Sequence, residues 1–353
     1  MNFRLPAFGE GTGGLRRILL TVGAGLTALV ALWAGWVLFN WIGPGPARGD
    51  TTVVLIRGGA VGEIADDLQR ARVIRSPGLF RVFAKLTRAD RTLRAGEYDF
   101  PAHASLSRVL GMMARGEIVR HWITVAEGRT SAQVAALLQA SPVLEGGVGI
   151  PPEGSLLPQT YEVVRGESRD EVIDAMRKAR DAKLDRLWAQ RAPGLAVRTP
   201  EEAVIMASIV EKETSVPSER ARIAAVYENR LAKGMRLEAD PVVIYGLSRG
   251  EALGHGLTKA ELQTRTPYNS YLVAGLPPTA IANPGEASLE AVLHPAKTDD
   301  IYFVANGTGG HSFSATWEEH ERNVARWRAI EASRKPDAMN NTQAAANSTQ
   351  KGR

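Results

Sequence analysis

"TPEEAVIMASIVEKETS", residues 199–215, holds a helix start, an apolar run and two glutamates one residue apart. Thr199, Pro200 and Glu202 make the pattern of an N-cap, a first-turn proline and a capping box. The spacing predicts a helix through "PEEAVIMASIVEKETS", with both glutamates near its end. With Met206 at zero and about 100° per residue, Val210 falls near +40°, Ile209 near −60° and Ala203 near +60°. Glu213 then lies at about −20°, inside the apolar stripe, and Glu211 at about +140°, on the solvent side with Ser208 and Lys212. An ionised carboxylate on an apolar face is costly unless paired, and unpaired its pKa rises. A carboxyl group still protonated near neutrality is what a general acid in glycosidic cleavage needs. The alternative is an ion pair at a frayed helix end, with Arg220 or Arg230 as partner. Thr214 either orients the Glu213 carboxyl or caps the helix.

Upstream, the chain opens on a second decisive stretch. Ile18 to Ile42 carries no charge over 25 residues, about 37 Å of helix against a hydrocarbon core of roughly 30 Å. Arg16 and Arg17 precede it, with Arg4 further out, and Trp33, Trp36 and Trp41 load its far end. Basic flanks stay cytoplasmic and tryptophans favour the interface, so the expected order is cytoplasmic residues 1–17, a transmembrane helix at 18–42, and the rest outside. A cleaved signal peptide would have a shorter apolar region and a small-residue cleavage site, absent from "NWIGPGPARGD". With no cysteine among 353 residues, disulfides, thiolate metal sites and thiol catalysis are excluded. The net charge of +5 suits anionic lipid or polymer surroundings. No basic cluster interleaved with aromatics points to nucleic acid.

Residues 43–50 read as a Pro/Gly linker. "TTVVLIRGG" reads as a strand and glycine turn, then come helices over 60–74 and from Ser76, a strand in "LRAGEYDF", and a helix capped by Ser105. Shifted by 70 residues, Val53, Leu55, Ile64, Ala65 and Leu68 fall on Ile123, Val125, Val134, Ala135 and Leu138. This echo suggests two small modules built alike, the second at 121–165. Strand–helix–helix–strand units of this size resemble the glycan-gripping LysM fold; a ligand-free structural module is the alternative. A charged helix is expected at 169–192. Residues 334–353 have almost nothing to bury and are expected to be disordered.

Three segments then closely resemble the endolytic murein transglycosylase family (YceG-like, MltG type). They are "SIVEKETSVPSERARIAAVYENRLAKGMRLEADPVVIYGL", "TPYNSYLVAGLPPTAIANPG" and "HPAKTDDIYFVANGTGGHSFSATWEEH". The resemblance covers roughly residues 50–333 and is densest from 205 to 320. It implies an α+β chain with a single transmembrane helix, a LysM-like module at 51–120 and a mixed α+β catalytic domain at 121–333. It also implies a cofactor-free, metal-free bacterial inner-membrane enzyme with its catalytic domain in the periplasm. Such an enzyme cuts nascent peptidoglycan strands internally and leaves 1,6-anhydro-N-acetylmuramic acid ends. The implied partners are the glycan strands and the inner membrane, with peptidoglycan synthases as a further candidate and no nucleic acid. Matched to the motif, Glu213 is the catalytic glutamate, and Tyr268 and Asn269 of "YNSY" lie beside the sugar. Thr214 resembles the residue that follows the glutamate in other lytic transglycosylases.

One carboxyl is enough for that chemistry, because the sugar's own C6 hydroxyl replaces activated water. A hydrolase would need a second carboxylate, with Asp240 or Glu219 to fill the role. Asp240 either orients the substrate acetamido group or caps a turn before Pro241. Glu219 and Arg220 are expected to pair with each other. His311 either touches sugar or only backbone, and Tyr302 and Phe303 are expected in a buried strand. A non-catalytic glycan-binding scaffold is the remaining alternative.

Overall fold

The computed structural model describes residues 12–55, 60–94 and 96–350, with side chains placed for residue 17, for 19–333 within those ranges, and not beyond. Two compact units divide the chain. One comprises residues 1–121 with 164–166, the other 122–163 with 167–353.

The first unit begins with α1 (Thr12–Ile42). From Leu19 to Ile42 this helix is long and apolar enough to cross a membrane. Leu19, Leu29, Leu32 and Trp33 stand exposed around it, so it is apolar on all sides and buries none of them in protein. Residues 43–50, read as a Pro/Gly linker, are tied to the loop at residue 103. The Gly45 N–H donates to the His103 carbonyl at 3.0 Å, and the His103 N–H donates to the Ala47 carbonyl at 2.8 Å. Trp41 stacks on Phe83 with centroids 4.2 Å apart.

β1 (Thr51–Leu55) then pairs antiparallel with β2 (Gly96–Phe100), Thr51 opposite Phe100 and Leu55 opposite Gly96. Between them lie α2 (Val61–Arg70) and α3 (Pro77–Leu86), and α4 (Leu106–Arg115) follows. The glycine turn expected after β1 falls outside the described residues. Ser76 accepts from the Leu79 N–H and Ser105 from the Arg108 N–H, so both helix starts are closed by the cap residues expected of them. Alternate strand residues Val53, Leu55, Tyr98 and Phe100 meet Leu68, Phe80, Val109 and Met113 in one apolar core.

The second unit contains two cores. The smaller joins β3 (Arg120–Thr124), α5 (Ser131–Gln139), β5 (Thr160–Val164) and the start of α6 (Arg169–Ala189). β3 pairs with β5, and the two-residue β4 (Leu144–Glu145) pairs in parallel with β6 (Glu167–Ser168). The echo at 70 residues appears here as equal burial: Ile123, Val125, Val134, Ala135 and Leu138 are all buried, as are Val53, Leu55, Ile64, Ala65 and Leu68. The second copy then departs, with a loop in place of a second helix.

The larger core holds α7 (Pro200–Glu213), α8 (Arg220–Ala232), α9 (Asp240–Ser248) and α11 (Glu286–Leu293). A single turn-length helix, α10 (Lys259–Gln263), interrupts the loop between α9 and α11. The hairpin β7 (Tyr302–Ala305) and β8 (His311–Ser314) packs Phe303 and Phe313 against this core. Tyr302 and Phe303, expected in a buried strand, are half-buried. α12 follows from Trp317 and continues as helical backbone to Gln350, where composition predicted a disordered tail.

Candidate active site

α7 sets the position of Glu213. Thr199 accepts from the Glu202 N–H at 3.1 Å, and Glu202 reaches back one residue past the cap, to the Arg198 N–H at 2.6 Å. The helix is then buried nearly all round, through Ala203, Val204, Met206, Ala207, Ser208, Ile209 and Val210. Glu213 is its last residue. The unsatisfied carbonyls at a helix C-terminus carry partial negative charge, which disfavours an ionised carboxylate there.

Beside Glu213 opens a cleft of about 300 Å³, lined also by Thr214, Ser215, the glycines of the β7–β8 turn, His311 and Trp327 of α12. Three larger hollows, two of about 470 Å³ along residues 188–198 and by Arg236 and Arg265 and one of about 460 Å³ by Trp41 and Thr87, are lined by no carboxyl group. Glu213 is half-buried, and Oε1 accepts a hydrogen bond from the Tyr227 hydroxyl at 2.5 Å. Burial pushes its pKa up to about 7; the Tyr227 hydrogen bond opposes the rise and the charge of Asp240 adds to it. The two arginines considered as partners are occupied elsewhere. Arg220 lies 3.7 Å from Glu211 and 3.8 Å from Glu127, and Arg230 bonds Glu238 at 2.9 Å and the carbonyl of Ile301 at 2.6 Å.

The other glutamate corrects the helical wheel. The Glu211 side chain is only 6% exposed and accepts from the Gly285 N–H at 3.0 Å. It does not face solvent, because α7 has no solvent face there: α11 begins against the side the wheel assigned to water. The expected Glu219–Arg220 pair is likewise absent. Glu219 instead takes both the backbone N–H of His311 at 2.9 Å and its ring Nδ1 at 2.8 Å.

A family model, the YceG-like family, matches residues 53–326. The chain belongs to the YceG-like family. An endolytic murein transglycosylase of Bacillus subtilis is 30% identical over 298 residues, covering 75% of this chain and 81% of that protein. One of Streptococcus pneumoniae is 28% identical over 324 residues, 78% of this chain and 58% of the relative, so the chain spans little more than half of the pneumococcal protein. A solved YceG-like protein of Listeria monocytogenes is 30% identical and covers 78% of this chain and 99% of its own, with a TM-score of 0.47.

In this YceG-like chain the remaining candidate residues take varied places. Asp240 is the first residue of α9, exposed, and accepts from the Tyr271 hydroxyl at 2.7 Å. It is close enough for its charge to act on Glu213. Thr214 does not touch the Glu213 carboxyl; its hydroxyl accepts from the Val216 N–H at 2.9 Å and turns the chain out of α7. Asn269 is 1% exposed, with its amide protons on the carbonyls of Leu262 and Thr264 and its oxygen on the Tyr271 N–H. With both protons committed, it organises the loop. Tyr268 bonds the Thr279 hydroxyl at 2.9 Å and rests edge-on against Tyr245. From "YNSY" it is therefore the second tyrosine, Tyr271, that reaches the acidic group nearest Glu213.

Tyr227 and Tyr271 escaped the sequence reading. Tyr227 lies in the buried stripe of α8 among Ile223, Ala224 and Val226, where a tyrosine hydroxyl must find a partner. That requirement was the available signal, and it does not say which partner.

Proposed function

We propose that this chain is a membrane-anchored lytic transglycosylase that cleaves peptidoglycan glycan strands internally, between N-acetylmuramic acid and N-acetylglucosamine. The observation that carries the reading is Glu213: a carboxyl group titrating near 7, at the mouth of a cleft, whose hydrogen-bond partner is a tyrosine hydroxyl rather than a cation. The names of the relatives support the same chemistry. With Oε1 engaged by Tyr227, Oε2 is the oxygen left to carry the proton.

Protonated Glu213 gives its proton to the glycosidic oxygen as the bond from the muramic acid C1 breaks. The C6 hydroxyl of the same sugar then attacks C1, and its proton returns to the Glu213 carboxylate. The products are a 1,6-anhydro end and a free 4-hydroxyl, with no water consumed. Asp240 stabilises the acid form by its charge and, through Tyr271, is held at the start of α9.

The apolar α1 and the arginines before it support a single-pass inner-membrane anchor with a cytoplasmic N-terminus and a periplasmic catalytic unit. The β1–α2–α3–β2 order of the first unit supports a LysM-like glycan-binding module. Mass spectrometry of products from isolated glycan strands tests the reaction, comparing the full chain in detergent with its Glu213→Gln variant. Internal cuts with 1,6-anhydro ends, lost in the variant, are expected; reducing ends would replace this mechanism by hydrolysis.

A further inference from the structure

Across the cleft from Glu213, the β7–β8 turn presents His311 in a fixed pose. Both Glu219 oxygens are spent on it: Oε1 accepts the backbone N–H at 2.9 Å and Oε2 faces ring Nδ1 at 2.8 Å. A carboxylate only accepts, so Nδ1 is the donor and Nε2 is the ring's remaining polar atom. Both side chains are 17% exposed, and the histidine lines the cleft. The ring packs edge-on to Phe303, which packs edge-on to Tyr227, so the imidazole is braced on the group that holds Glu213.

Gly310 shows how tightly Glu219 is placed. A Cβ at residue 310 would lie 2.5 Å from Glu219 Oε1, closer than any real contact. The glycine is needed for the carboxylate to reach the adjacent N–H. Such expense in fixing a histidine has no use in the acid chemistry of Glu213. The same cleft offers Trp327 as an apolar aromatic wall. A few fixed polar groups beside an aromatic surface is the usual form of a small-ligand site.

Resting on the proposed glycan-cleaving reading, we propose that His311 is a substrate contact, its Nε2 accepting a hydrogen bond from a hydroxyl or acetamido N–H of the sugar that lies against Trp327. Glu219 and Gly310 are positioning residues: they fix the ring and its tautomer, and do not themselves meet the glycan.

The test uses the full chain in detergent micelles, bearing Glu213→Gln so that substrate is not consumed, with imidazole-15N histidine. His311 is assigned by its loss in a His311→Gln variant. A tetrasaccharide of alternating N-acetylglucosamine and N-acetylmuramic acid is added. The Nε2 resonance of His311 is expected to move with saturation while Nδ1 stays protonated. In chains that retain Glu213, His311→Ala and Gly310→Ala are expected to raise KM about three- to tenfold, the size of one net hydrogen bond, with kcat changed less. A purely structural clamp would lower the melting temperature of the variants and leave both Nε2 and KM where they were. An unmoved Nε2, no binding of the tetrasaccharide, or unchanged KM in folded variants overturns the proposal. Full activity of Glu213→Gln would instead sink the acid role of Glu213, and the titration of Nε2 would still decide on His311.

Discussion

One glutamate in each unit is drawn out of full solvent, and its neighbours treat the two in opposite ways. In the first, Glu97 is 8% exposed and is held by His121 at 2.7 Å and Arg165 at 2.9 Å. Burial alone would raise its pKa, but the hydrogen bonds and charges of His121 and Arg165 outweigh it and the net shift is downward. In the second unit, Glu213 meets a tyrosine hydroxyl and a nearby carboxylate, and burial carries its pKa up to about 7. The surroundings differ in the same sense. Among the described residues Glu97 is the one buried polar side chain of the first unit, whereas the second buries fourteen, from Thr130 to Ser314. A paired carboxylate in an apolar core is a clasp. A desolvated one with no cation beside it keeps a proton that it can give up.

Exchange of each glutamate for glutamine gives the strongest way to break the comparison. Glu213→Gln is expected to reduce glycan cleavage by about 10²–10⁴-fold with the fold intact. Glu97→Gln is expected to leave kcat for the same glycan within about twofold, since no mechanism step passes through it. It should cost about 1–3 kcal/mol at neutral pH, read by denaturant unfolding, because a charge-assisted pair is lost. As the folded pKa is depressed, that stabilisation is present above the ordinary carboxylate range and fades as pH falls through it. The gap between wild type and Glu97→Gln should close in acid.

The sign reverses at Glu213. Its folded pKa is raised, so the unfolded chain loses the proton first and stability falls as pH climbs from about 4.5 to about 7. Glu213→Gln should therefore be more stable than wild type above pH 7, by at most about 3 kcal/mol, and should lose that advantage near pH 4. Smaller shifts sharpen the assignment. Wild-type kcat/KM should fall on the alkaline side with an apparent pKa near 7. Tyr227→Phe removes a bond that lowers the Glu213 pKa and should move that limb upward, while Asp240→Asn removes a charge that raises it and should move it downward. Limbs that move together would mean that another group governs the profile.

Local physics was legible in the sequence. Caps at Ser76, Ser105 and Thr199, the helix that starts at Pro200 and the inward direction of Glu213 all follow from neighbours within a turn or two. Glu211 was misread because a helical wheel assumes one buried face, and α7 has protein on both sides. The partners that make the site were out of reach for a different reason. Tyr227 bonds a residue 14 positions away, Tyr271 one 31 away and His311 one 92 away. Such bonds depend on how helices and hairpin pack, and no local periodicity records them. Asn269 shows a further limit: its side-chain hydrogen bonds all go to its own loop, which its place in "YNSY" does not reveal.

Gly45 and Ala47 are bonded to the His103 loop, and Trp41 lies flat on Phe83, so no slack separates α1 from the sheet that follows it. Eight residues of free chain would let a domain wander through roughly 16 Å. Here that freedom is gone. With α1 in a bilayer, the first unit would stand at a set height and tilt, carried over the membrane as on a mast and not a leash. Its motion would then reduce to sliding in a plane and turning about one axis.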